Sequence, residues 1–417
     1  MSLLNSSAPA PQTSKVKQKK LRVAYFVTHP IQYQAPLLKK VAELPELDFQ
    51  VFFFSDFSMR SYKDEGFGVT VKWDTPLTEG YDYEFLPTFR NGGGFSFADP
   101  LCRRIFERLQ QGNFDAIWLH GYYTLNHLHV LLAAGLLRIP LFLRTDSTLT
   151  DRPRSRAKML VKDLFFALLR STVSGIFTVG EANADYWRRH LPHAPQFFMP
   201  YTVDNDFFRE MAQAAAPERE QFRQSLQLDP GRPVILFASK LQHRKRCIDL
   251  VEAYLHLRAK NPLSTRPYLL IVGDGEERAA IEARISATKS TADIRMIGFK
   301  NQTELPRYFD LCDVFVLPSV HEPYGLIVNE VMNAARPVIV SDEVGCREDL
   351  IQHGVNGMVY KAGDTAALAE AMDYILASPE RMRDMGKQAQ KHIEKFDFER
   401  DIAGLRSALR FITASEL

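Results

Sequence analysis

The sequence predicts an α/β fold of two doubly wound, Rossmann-like domains facing a central cleft. Three observations carry this. The chain has 417 residues, more than one ordinary domain, and 46% hydrophobic content supports two real cores. Short apolar runs alternate with helical patterns through both halves, the rhythm of parallel sheets covered on both faces. Polar and turn-forming residues follow the runs, where such sheets hold ligands.

The elements follow in order. Leu21–Val27, LRVAYFV, reads as the first strand, and THPIQYQAP breaks it before a helix over 37–42. Strands are expected over 49–54 and over 114–119, the latter closed by His120 and followed by a Leu-rich helix. Two more fall over 139–143 and 175–179, and the pattern repeats over 234–359. The boundaries read as a disordered leader over 1–20, a first domain over 21–205, a second over 206–395 and a terminal helical segment over 396–417.

Composition narrows the function. A formal net charge of +2 gives no global sign of nucleic-acid binding. Cys102, Cys247, Cys312 and Cys346 are scattered, and read as reduced thiols of a cytoplasmic protein rather than disulfides or a zinc site. No apolar run is long enough to span a bilayer, and the N-terminus lacks the apolar core of a secretory signal.

The richest segment is HEPYGLIVNE, from His321 to Glu330. It leaves the apolar run Val314–Leu317, breaks at Pro318, Pro323 and Gly325, and re-enters a helical pattern at Leu326 and Ile327. Glu322 and Glu330 are separated by seven residues, roughly 8–12 Å along a helix axis. That is too far to share a proton and suits gripping two ends of an extended ligand. The first amides of the helix, at Gly325, Leu326 and Ile327, suit a phosphate between them. Sugar at Glu322, diphosphate at the helix start and ribose at Glu330 is one reading. Two solvated glutamates around an ordinary helix start is the other.

This segment resembles the E-x7-E signature of the retaining, two-domain glycosyltransferases of family 4, whose fold is called GT-B. The likeness continues through VMNAARPVIVSDEVGCREDLIQHGVNGMVY, and upstream through PVILFASKLQHRKRCIDLVEAY, YLLIVGDGEERAAIE and IRMIGFKNQTELPRYFDLCDVFVLPS. FMPYTVDNDFF resembles the entry to the second domain, and the segment after Phe396-Asp397-Phe398 the terminal helix that crosses back to the first. The match is good over roughly 195–410 and loose over 20–190. The resemblance implies a second domain that binds a UDP- or GDP-sugar and a first domain that binds a hydroxyl-bearing acceptor: a glycan, a lipid-linked substrate or a small molecule. It implies no cofactor and no metal. Lys240 and Lys245 would stabilise the leaving diphosphate, with Arg244 and Arg246 available to share the charge. The family usually has Arg where Lys240 stands. Gly298 and Phe299 would lie against the base, and Gly273-Asp274-Gly275 would form the turn beneath the nucleotide. The front-face mechanism of the family needs no protein nucleophile.

The first domain departs from the family. Where many members have a glycine pair, this chain has THPIQYQAP, which puts His29, Gln32 and Tyr33 on the acceptor side. Asp146, in LFLRTDST, falls near the usual histidine, and His120 is an alternative polar group at the cleft; a helix cap and a structural histidine are the competing readings. Phe95, Phe97, Tyr122 and Tyr123 line an acceptor groove or pack. Asp204-Asn205-Asp206 is a metal triplet in some folds, and a helix cap in this context. The stretch from Asp151 to Ser171 mixes Arg152, Arg154, Arg156, Lys158, Lys162 and Arg170 with Leu160, Leu164, Phe165 and Leu168. It fits either peripheral attachment to the inner face of an anionic membrane or a core-packed helix with a basic end. A nucleotide-sugar epimerase or hydrolase, and a non-catalytic nucleotide-sugar-binding protein, are alternatives on the same architecture.

Overall fold

The computed structural model describes residues 20–64, 66, 68, 70–90, 96–149, 156–260, 262, 265–288 and 292–414. The leader up to residue 19, Phe95, Arg152 and Arg154 lie outside them. In the first domain, parallel strands β1 (Leu21–Val27), β2 (Leu47–Phe53), β3 (Asp82–Phe85), β4 (Ala116–His120), β5 (Leu141–Arg144), β6 (Val173–Thr178) and β7 (Gln196–Phe198) form a sheet in the order β7-β6-β5-β4-β1-β2-β3. In the second, β8 (Val234–Ala238), β9 (Tyr268–Val272), β10 (Ile294–Gly298), β11 (Val314–Leu317), β12 (Val338–Ser341) and β13 (Gly357–Tyr360) run parallel in the order β10-β9-β8-β11-β12-β13.

Both sheets are buried on both sides, which is why their strands read as continuous apolar runs rather than alternating ones. In β1, Ala24 and Phe26 enter one core while Val23, Tyr25 and Val27 enter the other. In β8, Val234, Leu236 and Ala238 face one layer, and Ile235 and Phe237 the opposite one. Strand order reverses between β1 and β4 and between β8 and β11. Loops leaving the carboxyl ends of neighbouring strands diverge at such switch points and open a crevice. The first switch point therefore carries the loop from Thr28 to Gln34 and His120. The second carries Lys240, Lys245 and Glu322.

Seven helices matter for the site: α1 (Ala35–Ala42), α2 (Leu125–Leu137), α3 (Arg156–Leu169), α4 (Glu181–His190), α5 (Asn205–Ala215), α6 (Ile327–Asn333) and α7 (Phe398–Ala414). The chain passes into the second domain at α5, where the Asp204 carboxylate accepts from the Phe207 amide at 3.0 Å and caps the helix. Asn205 is buried and donates to the carbonyls of Ile393 and Phe396. The triplet 204–206 thus works as a cap and a tie. Ile393 and Phe396 belong to the second-domain core. Phe398, Ile402, Leu405, Ala408 and Leu409 enter a core of the first domain, where the helix lies against α1, β6 and β7. Their helical spacing makes α7 an amphipathic strap across the back of both domains.

A buried ion pair anchors this strap. Arg144, at the end of β5, donates to Asp401 of α7 at 2.8 Å and to the carbonyls of Met199 and Pro200 at 3.0 and 2.6 Å. Strand, hinge and terminal helix meet on one guanidinium, which satisfies charges that would be costly to bury alone. All four cysteines are buried free thiols.

Candidate active site

Glu322 is fixed by backbone before its side chain is considered. Its amide donates to the Glu343 carbonyl, its carbonyl accepts from the Gly345 amide at 2.8 Å, and it pairs with Val344 in an isolated parallel bridge. Gly325 then turns the chain at φ +100°, in the left-handed region; an added Cβ would lie 3.1 Å from Val344 Cγ1 and 3.3 Å from Glu322 Cγ. The turn needs glycine for conformation and for space. From it, Leu326 caps α6 without a side-chain hydrogen bond. The helix is two turns long, so its dipole is modest, and the charge around it comes mainly from side chains.

Those side chains converge on Glu322. Lys245, in the loop after β8, is buried and bonds the Glu322 carboxylate directly. Arg244 lies 3.9 Å from the same oxygen and donates to the His321 carbonyl at 3.1 Å. Burial, then the Arg244 and Lys240 cations, press the Lys245 ammonium well below its ordinary pKa. Glu322 is the counter-charge that opposes them. Lys240 reaches across the cleft instead, with Nζ 2.8 and 3.0 Å from the two carboxylate oxygens of Asp64 in the first domain. Arg246 is bound to Asp249 instead.

Glu330 lies at the end of the first turn of α6, and its amide donates to the Leu326 carbonyl. One carboxylate oxygen is withdrawn from solvent with no hydrogen-bond partner. Burial raises its pKa from 4.5 to about 8. A carboxylate in that state calls for donors, and sugar hydroxyls are donors. Gly298 ends β10 at φ +81°, and its carbonyl accepts from the Gly273 amide at 2.9 Å, with Phe299 following. Gly275 is held at a point where a Cβ would strike the carbonyls of Leu241 and, from the first domain, Gly66.

A cavity of about 430 Å³ opens between the domains, lined by Tyr33, Asp146 and Tyr201 on one side and Arg244, Glu322 and Leu326 on the other. Asp146 is exposed on the loop after β5. Tyr33 packs edge-on against Tyr201 at 5.6 Å, and Tyr201 against Tyr324 at 5.4 Å. Tyr33 also borders a second interdomain cavity of about 260 Å³ with Gln32, Thr75 and Gln302. His29 bonds Thr28 Oγ1 at 2.9 Å and faces Phe57. It does not line the larger cavity.

His120 sits behind this wall. Gln34 Nε2 donates to its Nδ1 at 2.9 Å, so Nδ1 is an acceptor and the proton belongs on Nε2, 3.0 Å from the Tyr201 hydroxyl. The ring stacks on Tyr201 at 6.0 Å. Burial, then Arg144, hold its pKa well below 6.5. The imidazole is neutral and supports Tyr201 rather than facing the cavity. Tyr122 is tied to Ser147 and Tyr186, while Phe97 and Tyr123 are exposed. Sequence reading did not single out Tyr201, Asp64 or Arg144. For Arg144 a signal existed, a charge closing the otherwise apolar strand LFLR.

Further contacts draw the domains together. The Asp349 carboxylate accepts from the first amide of α4 at 3.2 Å, and Asn301 donates to the Lys72 carbonyl at 3.0 Å. Asn329 donates to the Tyr201 carbonyl at 3.2 Å. The class this architecture defines is GT-B. A glycosyltransferase from Rickettsia africae superimposes with a TM-score of 0.71 at 14% identity, covering 94% of this chain and 99% of that one. An Anabaena protein, HepE, crystallised with UDP and glucose, gives 0.68 at 18% identity, with 95% and 100% covered. Residues 218–392, the body of the second domain, match the model of the glycosyl transferases group 1 family. A D-inositol 3-phosphate glycosyltransferase of Rhodococcus erythropolis is 28% identical over 199 residues, 46% of this chain and 44% of that one, so the match spans under half of that relative.

Proposed function

We propose that the chain transfers a sugar, with retention of anomeric configuration and without a metal, from a UDP- or GDP-sugar to an acceptor hydroxyl in glycan, polysaccharide or glycolipid synthesis. The observation that carries this is the arrangement around α6. The cluster Lys245–Glu322–Arg244 stands at the turn leading into the helix, and Glu330, with one buried oxygen lacking a partner, stands in its first turn. A sugar diphosphate nucleoside has the matching order of groups: hydroxyls, two phosphates, ribose. Glu322 holds donor-sugar hydroxyls, Glu330 the ribose, and Gly298 and Phe299 the base. Lys245, Lys240, Arg244 and the amides at Gly325, Leu326 and Ile327 meet the diphosphate. UDP is favoured because it is the nucleotide bound to HepE, a protein of the same fold.

As C1 parts from the phosphate oxygen, negative charge grows on the diphosphate. Fixed cations within a partly buried site lower that barrier without reorganising. The acceptor hydroxyl, lodged against Asp146 and Tyr33, attacks C1 on the face the diphosphate leaves. The C1–O bond to the acceptor forms, the bond to phosphate breaks, and the departing phosphate oxygen takes the hydroxyl proton. When donor hydroxyls bond Glu322, they share it with Lys245 and free that ammonium toward phosphate. The test is turnover of UDP- and GDP-sugars chosen by thermal shift, with the product anomer read by NMR. Inverted product removes the retaining mechanism. Donor consumption without acceptor favours an epimerase or hydrolase, and stabilisation without turnover a binding protein.

A further inference from the structure

The smaller interdomain cavity, of about 260 Å³, has no part in the transfer proposed above. Its walls come from both domains. Tyr33 and Pro36 stand at the entry to α1 and Thr75 in the segment before β3, while Phe207 belongs to α5 and Gln302 follows β10. Gln302 sits between two ties across the domains. Asn301 donates to the Lys72 carbonyl at 3.0 Å, and Thr303 Oγ1 to the Asp74 carboxylate at 2.5 Å. A molecule in this cavity therefore touches both domains. Three of the lining side chains keep an oxygen withdrawn from solvent with no hydrogen-bond partner among the described residues: Gln32 Oε1, Thr75 Oγ1 and Gln302 Oε1. Buried polar atoms ordinarily find partners. Three orphans around one cavity mark a place where an occupant supplies them.

The lining selects the occupant. Lys39 and Glu79 are exposed and opposite in sign, and the Asp204 carboxylate is engaged by the Phe207 amide. No buried charge in the lining calls for a counter-ion, so a neutral molecule fits. The volume falls below the roughly 300–1,000 Å³ of sites for drug-sized ligands, which admits a single ring. Tyr33, Pro36 and Phe207 offer carbon surface beside the two amides. Water would satisfy the oxygens but gain nothing from these walls, and loosely held water is readily displaced. Rings beside amides suit a molecule with an apolar face and a polar edge. A pyranose has both: C–H groups on its face and hydroxyls around its rim. The glutamine oxygens only accept, and hydroxyls donate.

We infer that this cavity is a binding subsite for one neutral sugar ring, held by the Gln32, Thr75 and Gln302 side chains against Tyr33 and Phe207. Binding here does not need the sugar-transfer reading; only the origin of the ring does. Tyr33 borders both cavities, so the ring is either the outer unit of a saccharide acceptor or a separate saccharide. Saturation-transfer NMR of the full chain with the methyl glycosides of glucose, galactose, mannose and N-acetylglucosamine tests the subsite. At least one should bind with a Kd of about 1–10 mM. Gln32→Leu/Gln302→Leu should weaken that binding at least about tenfold. Its melting temperature should not fall, because neither oxygen has a partner to lose. Asp146→Asn should leave the single-ring affinity unchanged. Disaccharides carrying that ring tell the two sources apart. An acceptor unit shows as a gain of about tenfold or more that Asp146→Asn abolishes, and a separate saccharide as no gain. Absence of binding by every glycoside at about 20 mM overturns the inference. Unchanged affinity in the double variant does so too, as does a lowered melting temperature there, which would make the two glutamines structural. So does loss of single-ring binding in Asp146→Asn, because the ring would then occupy the larger cavity.

Discussion

Across the cleft, the second domain presents formal charges and the first presents neutral rings. On one wall Arg244, Lys245 and Glu322 crowd within a few ångströms, with Glu330 in the first turn of α6. On the other, Tyr33, Tyr201 and His120 are hydrogen-bonded or stacked together, and Asp146 adds a carboxylate at the cavity. A charged wall recognises a charged ligand and carries much binding energy in few residues. A ring-lined wall recognises shape, and its contribution is spread over many contacts. Substitutions on the two walls should therefore differ in size and in which substrate they affect.

The largest effect is expected at Lys245. Lys245→Ala removes the buried cation and leaves Glu322 without its direct partner; kcat/KM should fall about 1,000-fold and the melting temperature should drop. The double variant Lys245→Ala/Glu322→Gln removes the stranded charge as well. It should regain the melting temperature and not the turnover. Recovery of both in steady-state assays would mean that the cluster is structural, and the contrast between the walls would fail.

Glu330 is next, and its pKa of about 8 gives a sign. With ribose hydroxyls donating to the ionised carboxylate, as proposed, donor binding would expel the retained proton. Wild-type donor affinity, by calorimetry, should tighten up to about tenfold per unit from pH 6 to pH 8. Glu330→Gln should show no such slope and bind about tenfold more weakly at pH 8. The linked stability runs the other way. Folded Glu330 keeps a proton that the unfolded chain sheds above 4.5, so the unliganded protein loses stability as pH climbs from 4.5 toward 8. Asp146→Asn, on the opposite wall, should raise the acceptor KM about tenfold and leave donor affinity unchanged.

The same contrast governs what could be read from the chain. The strand over 314–317, the break at Gly325 and the helix bearing Glu330 are contiguous, so local pattern placed them together. The helix starts only at Ile327, because the residues before it are tied to another loop: the Glu322 and Tyr324 carbonyls accept from the Gly345 and Cys346 amides. The first-domain wall is assembled from residues far apart: Tyr33, Asp146 and Tyr201 come from three separate loops and His120 from the end of β4. Tyr201 lies in FMPYTVDNDFF, which marked only an entry to the second domain, and its role exists only once the hinge is folded over β5. Arg144 and Asp401 are 257 residues apart, and no periodicity links them. Apolar content of the strands was legible because both faces of each sheet are buried; the partner of a buried charge was not.

His120 gives the smallest effect and the sharpest test of the neutral wall. Gln34 fixes its Nδ1 as an acceptor, and burial keeps the ring uncharged well below pH 6.5. Such a group neither gains nor loses a proton across the working pH range, so kcat/KM should show no imidazole limb near 6.5. His120→Asn removes the ring that stacks on Tyr201 and a partner of its hydroxyl, and should lower kcat/KM by less than about tenfold. The loss should be constant from pH 6 to pH 8. A limb near 6.5 in the wild type that disappears in His120→Asn would instead make the imidazole a proton-transferring group. In that event Tyr201 would relay the proton to the cavity, and the first domain would take part in the chemistry rather than shape the acceptor.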